Sequence, residues 1–387
     1  MKIGILGAGQ LGQMLALAGY PLGYEFLFLD PADGSPASRL APQIVADYTD
    51  PEALLRLCEA DLVTYEFENV PEAAAAAIAA RKPLHPNPTA LKTSQDRLFE
   101  KTQFLQLGIA TPKFANVTNV DELREALQTL SFPSILKTRR FGYDGKGQRR
   151  LSSVEEGERA FEELGQVPCV LEQQIPFTRE LSLICVRSVT GELAYYPLVQ
   201  NIHESGILRV TLAPAPDLTL ELQQLAQSYA ERLLTKLDYT GVLTLELFQV
   251  NGQLLANEFA PRVHNSGHFT IEGSVTSQFE NHLRAITGLP LGDTSVRGSV
   301  AMLNLVGNMP KAADILRFSD VHVHDYGKEP RAGRKLGHVT VLSGTDEERT
   351  RKVATLMPIL VGCGAMPSMT FPSFVPEAIR RKSGGGG

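Results

Sequence analysis

Cysteine is scarce: Cys58, Cys169, Cys185 and Cys363 are the only four in 387 residues, and no two form a C-x-x-C pair. That scatter excludes a zinc ribbon or dithiol redox site and leaves buried, reduced thiols as the plain reading. Long hydrophobic runs are missing too, since no apolar stretch reaches the roughly 18–20 residues that a membrane helix needs. Positive charge is not in excess: 37 Lys and Arg against 43 Asp and Glu give a net charge of −6, which argues against a nucleic-acid partner while leaving room for a local basic patch. No leader precedes the first strand signal, so a cytoplasmic protein with no membrane partner is expected. What is present is ordinary for a globular chain, with 43% hydrophobic and 21% charged residues and enough length for two or three domains.

The chain opens K-I-G-I-L (2–6), then G-A-G-Q-L-G (7–12), then a helical stretch from about Gln13 to Ala18. Strand signals return at Glu25–Leu29, ending at Asp30, and at D-L-V-T-Y-E-F-E (61–68). Strands alternating with helices predict a parallel sheet covered on both faces. The proline-rich L-H-P-N-P-T (84–89) marks the first boundary. Beyond it, an amphipathic helix is predicted from Ser94 to about Leu107, with strands at S-I-L-K (134–137), V-P-C-V-L-E (167–172) and E-L-S-L-I-C-V-R (180–187). Apolar residues at 222, 225, 226, 229, 230, 233 and 234 predict a helix over Leu220–Lys236. After about Pro290 the pattern reads as short strands and loops, hence a small C-terminal domain.

The features that carry chemistry are acidic, basic and glycine-rich. Glu246 and Glu258 fall on two strand-like runs around the turn signal Asn251-Gly252. With a two-residue turn, Glu246 faces Asn257; with a three-residue loop, it faces Glu258 on one side of the sheet. Two acids aimed at one point suit a hard cation that also holds phosphates, so the three-residue loop is expected. The alternative is a pair of solvated strand acids. G-Y-D-G-K-G-Q (142–148) lacks the G-K-[ST] ending of a P-loop, and reads either as a phosphate-cradling loop or as a plain turn. Lys137, Arg139, Arg140 and Lys146 crowd the same hairpin, and such crowding calls for an anion. G-A-G-Q-L-G with Asp30 is the dinucleotide pattern, yet its glycines also serve a tight turn that binds nothing. The basic loop with Lys328, Arg331, Arg334 and Lys335 is either a solvated surface or a phosphate clamp. His264 and His268 flank Asn265-Ser266-Gly267 in a loop, which suits polar contacts better than metal ligation.

In order along the chain, G-x-G-Q-L-G, Lys137 with G-Y-D-G-K-G-Q, E-Q-Q-I (172–175) with Glu180, Glu246 and N-E-F-A-P-R-V-H-N-S-G-H (257–268) closely resemble the ATP-grasp enzymes, and among them the carboxyaminoimidazole ribonucleotide synthetases of purine biosynthesis. The resemblance covers nearly the whole chain; its one visible departure is Val263, where proline is frequent. It implies an α/β and α+β protein. A Rossmann-like domain would span 1–92, a two-part ATP-grasp body 93–292 with its lid at 137–190, a small β-rich domain 293–378, and a flexible tail 379–387. The implied reaction consumes ATP, bicarbonate and 5-aminoimidazole ribonucleotide, through carboxyphosphate, in a homodimer that uses Mg²⁺, with Mn²⁺ as an alternative. A formate-dependent glycinamide ribonucleotide formyltransferase is the other ATP-grasp ligase considered, though it should carry D-T-G where this chain has N-S-G.

The same resemblance implies roles for particular residues. Arg97, Lys137 and Gly142, Tyr143, Asp144, Gly145, Lys146, Gly147 and Gln148 would handle ATP phosphates. Glu172, Gln173, Gln174 and Ile175 would hold adenine, Glu180 the ribose, with His203 and Asn257 beside the nucleotide. Glu246 and Glu258 would ligate the metal. Asp144, Arg262 and Asn265 would act in catalysis. Asn265, Ser266, Lys328, Arg334, Lys335 and, by likeness to the formate-transferring enzyme, Gln10, Leu11 and Glu66 would bind the ribonucleotide.

Overall fold

A computed structural model describes residues 1–142 and 145–368; Tyr143, Asp144 and the tail expected at 379–387 lie outside the described residues. The N-terminal strands pair in parallel in the order Gln43–Val45, Glu25–Asp30, Lys2–Leu6, Leu62–Tyr65. Successive side chains of a strand point to opposite faces. Ile3, Ile5 and Phe28 therefore pack with Leu11, Leu15 and Leu283 on one face, while Leu6, Leu29 and Val63 pack with Leu54, Leu57 and Ile78 on the other. The sheet is covered on both sides, as the alternation of strands and helices predicts.

A second sheet is antiparallel, in the order Phe114–Val117, Cys169–Gln173, Ser134–Thr138, Gln148–Leu151. Helices Val120–Thr129 and Val154–Glu163, capped by Asn119 and Ser153, bury Leu123, Leu127 and Phe161 against its Leu136 and Leu171. The glycine-rich loop joins Ser134–Thr138 to Gln148–Leu151. Gly147 sits at φ +70°, and a Cβ there would lie 2.6 Å from Thr138 Oγ1, so no other residue fits without rearrangement.

The third sheet has nine strands, and it runs through both remaining segments of the chain. Its order is Gln253–Ala260, Gly241–Val250, Arg179–Arg187, Val199–Glu204, Ile207–Ala213, Ser299–Val306, Lys335–Ser343, Val321–Asp325, with Leu193–Tyr195 beside Arg179–Arg187. Helix Leu220–Lys236 covers it through Leu222, Ala226, Leu233 and Leu234, matching the apolar period. The change in composition near Pro290 is therefore not a break in the sheet, because Ile207–Ala213 bonds directly to Ser299–Val306. The C-terminal segment is also not only strands and loops. Helix Asp346–Gly362 backs it, burying Val353, Leu356 and Leu360.

Candidate active site

The hairpin carrying the two acids forms by a different route from the one expected. Asn251 (φ +50°) and Gly252 (φ +78°) make a two-residue turn, with Val250 paired to Gln253. That register holds as far as Leu247 opposite Ala256, then shifts at a β-bulge, and Glu246 pairs with Glu258. The expected three-residue loop is thus replaced by a tight turn plus one extra residue, Asn257, in the second strand. The outcome is the same: both carboxylates share one face. Glu258 meets Arg97 at 2.6 Å and Glu246 meets His264 Nε2 at 3.2 Å. Burial alone would raise the Glu246 pKa, but the hydrogen bond from His264 and the charges of His264, His203 and Arg262 hold it down to about 2.

Lys137 lies on the strand that enters the glycine loop. Its Nζ donates to Glu172 Oε2 at 3.0 Å, and Lys101 Nζ meets the same oxygen at 3.2 Å. Burial raises the Glu172 pKa, yet Lys101, Lys137 and Arg97 overcome that and bring it to about 2. The crowding of basic residues at this hairpin is met by protein carboxylates as well. Arg139 forks onto Asp96 (2.6 and 3.0 Å), and Arg140 reaches Glu72 at 3.3 Å and Gln95 at 2.8 Å. Arg97 Nη2 also reaches the Gly142 carbonyl, at 3.5 Å. At the strand end proposed for adenine, the N–H groups of Gln173 and Gln174 already donate to the Lys113 and Pro133 carbonyls.

Glu180 and His203 are adjacent across neighbouring strands, with His203 Nδ1 2.8 Å from Glu180 Oε2. Burial would lower the His203 pKa, but the bond to Glu180, with the Glu180 and Glu246 charges, raises it. In the loop after the hairpin, Arg262 Nε donates to Glu68 Oε2. His264 Nδ1 and Ser266 Oγ are 2.8 Å apart, which sets the ring that faces Glu246. Asn265 exchanges two amide hydrogen bonds with Asn304 (3.0 and 2.6 Å), so its side chain is committed to the strand Ser299–Val306.

The glycine fingerprint has an occupant from within the chain. The N–H groups of Gly9 and Gly12 donate to the two oxygens of Glu66, the latter at 2.7 Å. A Cβ on Gly9 would lie 2.6 Å from Glu66 Oε1. A dinucleotide pyrophosphate uses this helix start, and here a side-chain carboxylate fills it. Asp30 Oδ2 accepts from the Ala8 N–H at 2.9 Å and from Tyr48 Oη at 3.2 Å, so the acid of the fingerprint is likewise engaged. Beside Glu66, Gln10 Oε1 accepts from Lys328 Nζ. Burial and the nearby Arg334 and Lys335 charges push the Lys328 ammonium down to about 8. Leu11 is buried in the core beneath.

Sequence comparison gives three consecutive matches: the ribonucleotide synthetase preATP-grasp domain over 1–95, the ATP-grasp domain over 102–279, and the phosphoribosylaminoimidazole carboxylase C-terminal domain over 300–352. The N5-carboxyaminoimidazole ribonucleotide synthase of Pseudomonas aeruginosa is 52% identical over 88% of this chain and 94% of its own length. The chain belongs to the N5-carboxyaminoimidazole ribonucleotide synthase family. The Bacillus subtilis synthase is 39% identical over 91% of this chain and 94% of its own. The crystal structure of the Thermus thermophilus synthetase superposes with a TM-score of 0.91 at 50% identity, covering 95% of this chain and all of that one. An Aspergillus clavatus synthase in complex with ADP and 5-aminoimidazole ribonucleotide gives 0.87 at 31% identity, covering 93% of this chain and 98% of that one.

For a synthase of this family the chain is an ATP-grasp ligase, and its geometry adds residues that sequence reading did not single out. Buried Lys101 meets Glu172 and half-buried Glu68 meets Arg262, while buried Asp96 and Glu100 hold Arg139 and the Phe259 N–H beside the site. They carry no local sequence signal, because their partners lie far along the chain. His264, read as a polar contact, bridges Glu246 and Ser266. His282 is a core residue, bonded to Thr64 Oγ1 at 2.9 Å and to the Val242 N–H at 3.1 Å. No group of three or more His, Cys, Asp or Glu side chains that could hold a metal occurs among the described residues.

Proposed function

We propose that the chain carboxylates the amine of 5-aminoimidazole ribonucleotide with bicarbonate at the expense of ATP, giving N5-carboxyaminoimidazole ribonucleotide, ADP and phosphate in purine biosynthesis. The observation that carries this reading is the pairing of Glu246 with Glu258 on one face, with Arg97 on Glu258 and Lys137 joined to the hairpin through Glu172 and Lys101. The donor set fits Mg²⁺ (or Mn²⁺), which commonly binds through one or two carboxylates and completes its shell with phosphate oxygens and water. Asn257 Oδ1, between the acids in sequence and without a hydrogen-bond partner among the described residues, is a further oxygen suited to that site. When bound, the cation supplies charge neutralisation for the transferring phosphoryl group.

The residues then divide the work. Lys137, held by Glu172, and Arg97 face the γ-phosphoryl group while a bicarbonate oxygen attacks phosphorus and the bond to the ADP oxygen breaks. The product, carboxyphosphate, is attacked at carbon by the substrate amine; phosphate leaves with the C–O bonding pair, and the amine gives up a proton. Carboxyphosphate decomposes in water, so the glycine loop 142–148 serves as its cover. Asp144, on that loop, is proposed to take the amine proton, with Arg262 and the Asn265–Ser266 backbone holding the carboxyl. An adenine edge would use the carbonyls of Glu172–Gln174 and the Ile175 N–H, since the Gln173 and Gln174 N–H groups are engaged. Glu180, with His203, suits the ribose hydroxyls. Lys328, which meets Gln10, and the Arg334 and Lys335 charges near it suit the ribonucleotide phosphate.

We further assign 1–92 to a Rossmann-like domain on the ribonucleotide side, 93–292 to the ATP-grasp body and 293–378 to a small C-terminal domain that carries the clamp residues Lys328, Arg334 and Lys335. The family resemblance supports a homodimer, which sedimentation equilibrium tests, and soluble substrates support a cytoplasmic site. The deciding assay is phosphate release from Mg·ATP with and without both cosubstrates. Release that requires both supports the reading; release indifferent to 5-aminoimidazole ribonucleotide overturns it.

A further inference from the structure

The first turns of helix Arg97–Gln106 present Arg97, Glu100, Lys101 and Phe104 at i, i+3, i+4 and i+7, on one face. Every member of that row touches the acid-bearing hairpin. Arg97 meets Glu258 at 2.6 Å, and Glu100 Oε1 accepts the Phe259 N–H at 2.6 Å. Lys101 Nζ donates to the Asn257 carbonyl at 3.3 Å, and the Phe104 and Phe259 rings meet edge-on with centroids 6.2 Å apart. Lys101 also reaches the other half of the site, because the Glu172 oxygen it contacts is the one that holds Lys137.

Lys101 is fully buried, at 0% exposure. A buried ammonium is costly and persists only where its protons find matched acceptors. An apolar residue would fill the same volume in a helix that packs only for stability. The charge has a geometric use here: it joins an oxygen of Glu172, on the strand Cys169–Gln173, to the carbonyl of the bulged Asn257, two residues that sit on different sheets. We propose that Lys101 is a positioning residue for nucleotide activation, bracing Lys137 through Glu172 against the bulge that turns Glu246 and Glu258 to one face. The proposal deepens the reading of the nucleotide site above and rests on it.

Three variants test it: Lys101→Met, Lys101→Arg and Lys101→Gln. Losing a charge-assisted bond to each half of the site should weaken Mg·ADP binding in titration calorimetry by about tenfold to a hundredfold in Lys101→Met. The KM for ATP and the Mg²⁺ concentration at half activity should rise in parallel, while the KM for 5-aminoimidazole ribonucleotide stays within about twofold. Lys101→Arg keeps the charge and should recover part of the nucleotide affinity. Should Lys101→Met fold poorly, Lys101→Gln, which keeps an amide donor without the charge and leaves Glu172 paired with Lys137, carries the same test and must still bind Mg·ADP weakly. Wild-type affinity for Mg·ADP in a folded variant lacking the ammonium overturns the proposal, as does an equal rise in both KM values. A wild-type enzyme without cosubstrate-dependent phosphate release overturns instead the reading on which it rests.

Discussion

Replacing Glu258 by Gln separates what this residue does for the fold from what it does for chemistry. In the fold, its carboxylate pairs with Arg97 at 2.6 Å, with side chains 16% and 36% exposed. A partly exposed ion pair is worth about 1 kcal/mol or less, and Glu172 and Glu100 still face the guanidinium. For 387 residues, an unfolding entropy of roughly 2.1 cal/mol/K per residue sums to about 0.8 kcal/mol/K. The melting temperature should therefore fall by only about 1–2 °C. In the chemistry, Gln offers a neutral oxygen where the proposed site would set Glu246 and Glu258 together against a divalent cation. Removing one preorganised electrostatic partner costs about 10²–10³-fold in kcat. Differential scanning fluorimetry and a phosphate-release assay at saturating ATP, bicarbonate and 5-aminoimidazole ribonucleotide measure the two quantities. Turnover within about threefold of wild type at ordinary Mg²⁺ would refute the assignment, and a melting point lower by about 10 °C would show that the acid is structural.

Arg334→Ala should raise the KM for the ribonucleotide by about tenfold and leave that for ATP nearly unchanged; equal effects on both contradict the phosphate clamp. Lys328 has its pKa lowered to about 8 from 10.5 by burial and like charges. A base lowered on folding binds fewer protons folded than unfolded between about pH 8 and 10.5, so it adds stability as pH rises through that window, whereas its charge for binding a phosphate is present below about 8 and lost above. kcat/KM for the ribonucleotide should thus decline above about pH 8, and Lys328→Arg, which stays charged, should move that decline upward; an unmoved profile rules out Lys328 as its source. Gly7→Ala places a Cβ into Glu66 at a backbone φ of +97°. It should cost about 1–3 kcal/mol, read as a melting point lower by a few degrees; an unchanged melting point would deny that the fingerprint glycines make room for that acid.

How much of this was readable beforehand depended on the range of the interactions. Helix Leu220–Lys236 was legible to the residue because its partner surface leaves a 3.6-residue apolar period in the sequence. Helix Asp346–Gly362 was not, since it opens on the polar run D-E-E-R-T-R-K and carries Pro358 inside. The turn at Asn251-Gly252 was legible, but the bulge at Asn257 was not: nothing local marks a residue as unpaired in a ladder. Glu246 and Glu258 announced themselves as acids in apolar strands. Their neighbours Lys101 and Glu68 looked like ordinary helix and loop residues, because the contacts that explain them span 71 to 194 positions. The glycine fingerprint was the most misleading motif. Its geometry is that of an anion site, and only the fold reveals that the anion is Glu66.

The unbroken nine-stranded sheet also decides how this chain can be cut. Ile207–Ala213 bonds on one side to Val199–Glu204 and on the other to Ser299–Val306. Truncation ahead of residue 293 would strip that second side and bare a row of apolar backbone positions, Leu208, Val210 and Leu212 among them, inviting neighbouring molecules to zip onto it. The last third of the polypeptide is thus no detachable appendage: shortened versions should precipitate before they could be assayed.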